Sequence, residues 1–394
     1  MSLPAVVLVG GQGTRLRPLT DRTRKDMLPL VDRPLLAYTF EHLARYGVER
    51  GIVSCGYLPD QIGAAFGEEY AGLTLEYAVE PEPLGTGGAI GFAARELESS
   101  FFALNGDSLR EADLTELVRF HRSTGAKATI LLTPVSDPSR YGLVRIAADG
   151  RVESFLEKPR PEDIDTDLIN AGLYVLEPEV LELVPEGRAV SIEREVFPRL
   201  AEAGTVFGVA LPGYWLDVGT PESYLQAHRD VLERTFRTEV GEALGSDFTL
   251  IDPSAEVHPG ARLVPPVYVG PGAVVEARAR VGSLAVVGEG TRLGEAAIVE
   301  NAVVGARATV GAGSVVVGSV VGDAAELGDG CEVRNLAVIG PGAVLGAGNE
   351  LDHGLRVGAA QRIPDKALRF SCARTRAPRT ASRPGGSRSR GAGS

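Results

Sequence analysis

The chain has 394 residues, of which 44% are hydrophobic and 23% charged, with 40 basic and 52 acidic side chains and a formal net charge of −12. That length supports two or three domains with cores of their own, and the acidic balance, with a pI of about 5.1, excludes general nucleic-acid binding through a basic surface. Cys55, Cys331 and Cys372 lie far apart without a CxxC pair, so neither a disulfide framework nor a zinc site is indicated. The opening MSLPAVV lacks a charged region followed by a long apolar run, and no apolar stretch approaches the roughly 18 residues of a membrane span. The expectation is a cytoplasmic protein with no membrane and no nucleic-acid partner.

From residue 1 to about 235, short β-branched runs alternate with helical periods. AVVLVG, GIVSCG, FFALNGD and ATILLTPV read as strands, and LLAYTFEHLARYG and LTELVRFHRSTG as amphipathic helices ended by glycine. This alternation predicts an α/β domain with a mostly parallel, mixed sheet and helices on both faces. Its first strand runs into VVLVGGQGTRLRPLT. Gly10, Gly11 and Gly13 let the backbone approach a ligand, and a turn between a strand and a helix start exposes N–H groups to phosphate. Arg15 adds a planar, permanently charged fork. The spacing matches neither the dinucleotide fingerprint G-x-G-x-x-G nor the P-loop G-x-x-x-x-G-K-[ST], so the loop is a phosphate loop of another kind.

Residues 236–250 read as a linker. From 251 to 360 an aliphatic residue recurs every six positions, from Ile251, Val257 and Leu263 onward to Leu345, Leu351 and Val357, with two five-residue steps, Val299 to Val304 and Val316 to Val321. Small residues, often glycine, follow at the corners. A hexapeptide period of this kind is the signature of a parallel β-helix, here resembling the left-handed type with about three hexapeptides per coil, and the short steps read as turn irregularities. Residues 361–394 hold eight arginines and one lysine against a single acid, Asp365. Two readings fit this tail: a disordered, solvated segment, or a contact with an acidic neighbouring subunit.

GGQGTRLRPLT, EPLGTGGAI, NGDSL, YGLVRI, FLEKP, INAGLYVL, SIEREVFP and WLDVGTPESYLQAH occur in this order. Together they resemble the sugar-1-phosphate nucleotidyltransferase family, the NDP-sugar pyrophosphorylases, and most of all its GDP-mannose-forming branch. The resemblance implies a Rossmann-like nucleotidyltransferase domain followed by the hexapeptide β-helix. It also implies transfer of a nucleotidyl group from a nucleoside triphosphate to a sugar-1-phosphate with release of pyrophosphate, GTP and mannose-1-phosphate being favoured. Another triphosphate with glucose-1-phosphate or a sugar-like cyclitol phosphate is the alternative, and a non-catalytic regulatory subunit a second one.

Such a transfer needs in-line positioning and charge neutralisation. Arg15, Lys25 and Lys158 are the candidate cations, and Mg²⁺ is the expected cofactor, since it favours one or two carboxylates plus phosphate oxygens. Asp107, past the end of FFALN, and Asp217, in WLDVG, stand at the family's metal positions. The family places its phosphate-contacting lysine within K-P-M. Here the text is Lys25-Asp26-Met27, and Asp26 is expected to weaken or reshape triphosphate binding by setting a negative charge beside the lysine. Nucleotide contacts are expected from Gly10, Gly11, Gly13, Thr14, Arg15, Glu80, Gly85 and Thr86. A carboxylate at Glu80, with Glu82 two residues on, can accept from both guanine donors, whereas an amide suits uracil or thymine; both carboxylates facing solvent is the other reading. Sugar-phosphate contacts are expected from Gly142, Glu157, Lys158 and Asn170, the last serving equally well as a strand-end turn residue. His42, His121, His228, His258 and His353 are isolated and show no metal-ligand spacing, although His353 sits in the repeat, where hexapeptide acyltransferases can use a histidine base. That activity needs a long loop extruded from the β-helix, and the repeat has none. Flat hexapeptide helices favour stacking, so a homo-oligomer through the β-helix is expected.

Overall fold

The alternation of β-branched runs and amphipathic helices builds one mixed, ten-stranded sheet. The computed structural model describes residues 3–56, 59–157 and 159–369. The elements that matter here are β1 (Ala5–Val9), α1 (Leu35–Arg45), β2 (Arg50–Cys55), α2 (Pro59–Phe66), β3 (Leu73–Val79), α3 (Gly85–Ala94), β4 (Phe101–Asn105), β5 (Ser108–Arg110), α4 (Leu114–Thr124), β6 (Ala128–Pro134), β7 (Gly142–Ile146), β8 (Val152–Glu157), β9 (Leu168–Leu176), α5 (Phe197–Glu202), β10 (Val206–Ala210), β11 (Trp215–Asp217), α6 (Pro221–Leu232) and α7 (Glu239–Ala243). The strands run in the order β8-β7-β9-β4-β1-β2-β3, with the two-residue strand Glu69–Tyr70 beyond β3, β6 also on β9 and β10 on β6. β1 is parallel to both β2 and β4, whereas β9 lies antiparallel to β4. The four strands and two helices read from the sequence all form, and Gly125, at φ 63°, ends α4 as predicted.

Strand alternation distributes the core. Val7 and Val9 face one side with Leu36, Phe40 and Leu117. Val6 faces the other with Ile90, Phe101 and Phe197. Burying both sides of β1 fixes where its C-terminal end opens, which is where open α/β sheets bind ligands.

The repeat region folds as a parallel β-helix of three faces with seven, seven and six strands, consistent with the left-handed type. The six-residue positions from Val269 to Val357 point inward and are at most 2% exposed. Ile251, read as part of the same interior row, is instead 37% exposed; it opens the first coil and has a neighbour on one side only. Both five-residue steps fall at the same corner and shorten two successive coils, so that Val286 pairs with Val303 and Val303 with Val320.

Two boundaries differ from the sequence reading. Residues 236–250 are an ordered part of the packing: Phe236, Val240 and Leu244 are buried in an apolar cluster that spans both domains, and the first repeat strand starts at Thr249. The coil also continues past residue 360. A last strand at Arg362–Ile363 pairs with Val344–Leu345, and the Leu368 N–H donates to Asn349 Oδ1 at 2.8 Å, because stacked coils offer a full ladder of acceptors. The rest of the Arg-rich tail and Cys372 lie outside the described residues.

On one face of the β-helix the outward positions Tyr268, Val286, Val303, Val320 and Val338 are apolar and buried. They join the cluster of Leu28, Val31, Tyr224 and Leu225 from the first domain. On the other faces the matching outward positions include exposed Arg262, Arg280, Arg292, Glu326, Glu332 and Glu350. The apolar stripe is therefore the dock for the first domain. No helix among the described residues is long and apolar enough to cross a membrane.

His42 in α1 and His228 in α6 are buried, and desolvation pushes each imidazole down to about 3. An unfolded histidine titrates near 6.5. Between these values the unfolded chain binds protons that the folded chain refuses, so stability falls as pH drops below about 6.5, by up to ~1.4 kcal/mol per pH unit for each histidine. Urea midpoints measured from pH 7.5 to 4.5 should show this decline, and His42→Gln should make it shallower.

Candidate active site

β1 ends against buried neighbours, and the chain leaves it through the glycine loop. Among the described residues nothing accepts from the amides of Gly10, Gly11, Gln12 or Gly13. A row of unpaired N–H groups at the end of a parallel strand is a ready anion cradle. The three glycines serve different ends. Gly13 adopts φ 59°, and a side chain there would press on Lys25 and Thr20 at 3.0 Å. A Cβ on Gly10 meets nothing within 4 Å, so the space beside it is open to a ligand. The expected helix start is only a single 3₁₀ turn, Thr14–Leu16. The chain is held there by buried Leu16 and by Thr20, whose hydroxyl donates to Gly13 O at 2.8 Å. The cradle therefore rests on loop N–H groups rather than on a helix dipole.

Lys25, Asp107 and Asp217 meet beside this loop. β5 and β11 pair antiparallel with Ser108 opposite Asp217, which puts two aspartates from distant parts of the chain side by side. Lys25 Nζ bonds Asp107 Oδ2 at 2.9 Å and Asp217 Oδ1 at 3.1 Å. Arg15 reaches Asp217 more loosely, at 3.6 Å, with its side chain 62% exposed. Burial works against the Lys25 ammonium, but the two carboxylates outweigh it and the Lys25 pKa is raised. Burial likewise works against the Asp107 carboxylate, and attraction to Lys25 and Arg110 outweighs it, so that its pKa is lowered. Both groups are charged at neutral pH.

Asp26 does not act on Lys25 as the sequence suggested. Its carboxylate faces Arg24, which holds it with Nε and Nη2, both at 2.9 Å. The same Nη2 donates to the carbonyl of Val9, the last residue of β1. Both side chains are almost fully buried. A bidentate ion pair therefore brackets Lys25 and ties its turn to the loop entrance.

Ahead of the loop lies a cavity of about 410 Å³, whose walls include Gly10, Gly11, Gln12, Glu80, Gly85, Thr86 and Asp107. Glu80 is buried and already accepts from Ser54 Oγ at 3.1 Å and Leu84 N–H at 3.0 Å. Glu82 is exposed. Gly85, at φ 70°, leaves no room for a side chain, since a Cβ would sit 2.7 Å from Val190 O. The Thr86 hydroxyl donates to Glu193 and accepts from Ile192 N–H, fastening α3 to the SIEREV turn.

The sugar-phosphate candidates lie on neighbouring strands. Gly142 of β7 is paired with Glu157 of β8, and the next residue, Leu143, with Ile169 of β9. Asn170 sits at a register shift in β9, where its Nδ2 donates to the Tyr174 hydroxyl and its Oδ1 accepts from Gly172 N–H. Its amide thus has both its partners within its own strand. Lys158 lies outside the described residues. Tyr141 packs edge-on against Trp215, two residues before Asp217, and links this patch to the carboxylate pair.

Arg110 was missed by sequence reasoning. It is buried on β5, donates to Asn105 O at 2.8 Å, and burial pulls its pKa down to about 10. One residue beyond the SL that follows NGD, it had no motif of its own; a charged residue inside an apolar strand was the available signal.

The nucleotidyl transferase family profile matches residues 4–234, and the GMPPB C-terminal domain profile matches residues 246–338. The chain belongs to the nucleotidyl transferase family. Mannose-1-phosphate guanylyltransferase of Mycobacterium tuberculosis is 42% identical over 280 residues, covering 66% of this chain and 77% of the relative. A probable mannose-1-phosphate guanylyltransferase of Arabidopsis thaliana is 36% identical, covering 67% and 76%. Among solved structures, HddC from Yersinia pseudotuberculosis complexed with GMP-PN matches with a TM-score of 0.51 at 32% identity, covering 58% of this chain and 99% of that one. Nucleotidyl transferase family members act on nucleoside triphosphates and sugar-1-phosphates and generally use a divalent ion. Asp107 and Asp217 suit such an ion: two hard carboxylates converge on one point, now spanned by the Lys25 ammonium, and leave room for phosphate and water oxygens.

The Arg24–Asp26 pair makes a sharp prediction. Asp26→Ala strands a buried guanidinium and should cost about 3–5 kcal/mol, whereas the double variant Arg24→Met/Asp26→Leu should cost far less. Urea unfolding of the three proteins measures both.

Proposed function

We propose that this protein transfers a guanylyl group from GTP to mannose-1-phosphate, forming GDP-mannose and releasing pyrophosphate. The observation that carries the reading is the Lys25 ammonium held between Asp107 and Asp217 beside a loop in which the N–H groups of residues 10–13 have no partner among the described residues. A regulatory subunit without activity has no need of that arrangement. The named activities of the relatives support the choice of base and sugar.

In this scheme the loop amides and Arg15 bind the triphosphate oxygens and orient the α-phosphorus. An oxygen of the sugar phosphate attacks it, the new P–O bond forms, and the bond to the β-phosphate breaks in line, so that pyrophosphate leaves from the opposite side. The attacking oxygen is already anionic, so no general base is required. Lys25, kept protonated by its carboxylates, acts as a fixed positive charge rather than a proton carrier. Asp107 and Asp217 would hold Mg²⁺, which when bound neutralises charge on the phosphate oxygens. Glu80 spends two of about four acceptor positions on Ser54 and Leu84. The remainder suit the paired donors of guanine. Gly85 and Thr86 border the base and ribose. The sugar meets β7–β9, with Gly142 allowing close approach, Glu157 and Asn170 beside it and Lys158 on the phosphate. Two faces of the β-helix stay open to solvent, and assembly into a homo-oligomer would use them.

Pyrophosphate release measured for several nucleoside triphosphates against several hexose-1-phosphates should be fastest for GTP with mannose-1-phosphate. A higher kcat/KM for another pair would replace the substrate assignment, and no release with any pair would overturn the enzymatic one. Lys25→Gln and Asp107→Asn should each lower kcat about 10²–10³-fold, the range for removing one preorganised electrostatic contact. Gly10→Ala should fold normally and lose activity through its obstructed cradle.

A further inference from the structure

The loop that carries Arg15 is held from an unexpected quarter. Arg356, on the repeat strand Arg356–Val357 near the end of the β-helix, sends one guanidinium nitrogen, Nη1, to two backbone carbonyls of that loop. It donates to Arg15 O at 2.8 Å and to Arg17 O at 2.6 Å. These residues are more than 300 positions away in sequence. The two carbonyls flank Leu16, which is buried in the cluster that also contains Val320 and Val338 of the β-helix face.

The arrangement matters because the Arg15 side chain has little else to fix it. It is mostly exposed, and its one ion pair among the described residues, to Asp217, is long. Asp217 is also shared with Lys25. The direction in which Arg15 projects is therefore set by its backbone. That backbone is a single 3₁₀ turn, closed by Leu16 N–H to Gly13 O and Arg17 N–H to Thr14 O. A turn this short has few bonds of its own, so two charge-assisted bonds on the carbonyls either side of Leu16 are a large part of its restraint.

We propose that Arg356 is a positioning residue for the transfer reaction: from the β-helix it fixes the backbone of Arg15 and so aims that guanidinium at the triphosphate. The β-helix is then part of the catalytic support as well as a possible assembly surface. The kinetic side of this inference rests on the function proposed above.

The test uses the full-length protein with Arg356→Ala, Arg356→Lys and, on the next repeat strand, Arg362→Ala. Arg356→Ala should lower kcat about ten- to a hundredfold, the scale of a small misplacement of a catalytic group. KM for the sugar phosphate should stay within about twofold, because that side of the site is built on other strands. Arg356→Lys, which can still donate to both carbonyls, should recover much of the loss, and Arg362→Ala should match the parent. Without substrate, hydrogen exchange of amides 13–17 should speed up in Arg356→Ala and return toward the parent rate in Arg356→Lys. Parent-like kcat in Arg356→Ala would overturn the proposal. So would a loss shared by Arg362→Ala that follows a common fall in Tm. If the parent itself released no pyrophosphate, the function reading would fail, and unchanged amide exchange in Arg356→Ala would separately refute the clamp.

Discussion

Two carboxylates cannot both stay ionised in a partly enclosed site without a positive charge between them. Asp107 and Asp217 are brought together by the pairing of β5 with β11, and the Lys25 ammonium is what makes that pairing tolerable. Repulsion between like charges and the cost of desolvation both favour separating the strands, and one buried cation reverses that balance. The surroundings serve this triad. The Lys25 turn is bracketed by Arg24 and Asp26, Arg24 ties that turn to Val9 at the end of β1, and Arg110 acts on Asp107 as a second cation. In the reaction proposed here Asp107 and Asp217 would hold the divalent ion while Lys25 and Arg15 face phosphate oxygens, so the charges that stabilise the resting site are those that the substrates require.

The β-helix shows how a repeat can be adapted on one face without losing its period. Its interior row is set by the need to fill a narrow triangular cross-section. Outward positions are free of that need, and on one face they have become an apolar stripe ending in Val320 and Val338. The two shortened coils lie at the corner that meets α6, where Arg229 Nε donates to Asn301 Oδ1 at 2.6 Å. The irregularity in the repeat thus coincides with the seam between the domains.

Much of this was readable in the linear text. The hexapeptide row needed only a list of aliphatic positions, and the stripe at Tyr268, Val286, Val303, Val320 and Val338 recurs at 17 or 18 residues and could have been read in the same way. The glycine loop and both aspartates stood out because each follows an apolar strand. Other polar side chains have protein partners that the linear text did not show. Asp26 turned to Arg24, Thr86 to Glu193, and Asn170 to Tyr174. None of these partners can be chosen from spacing, since a short polar side chain bonds whatever group the packing leaves beside it.

By itself, then, the sequence determined the periodic elements, the two architectures they imply and the chemical types gathered at strand ends, because periodicity follows from local backbone geometry and the burial of one face. Only the tertiary structure decided which charges meet. Lys25 lies 82 residues from Asp107 and 192 from Asp217, and Arg356 lies 341 from Arg15. Contacts at that distance along the chain are fixed by strand pairing and by the docking of one domain on another, and an electrostatic interaction that depends on ångström separations has no value until that packing is complete.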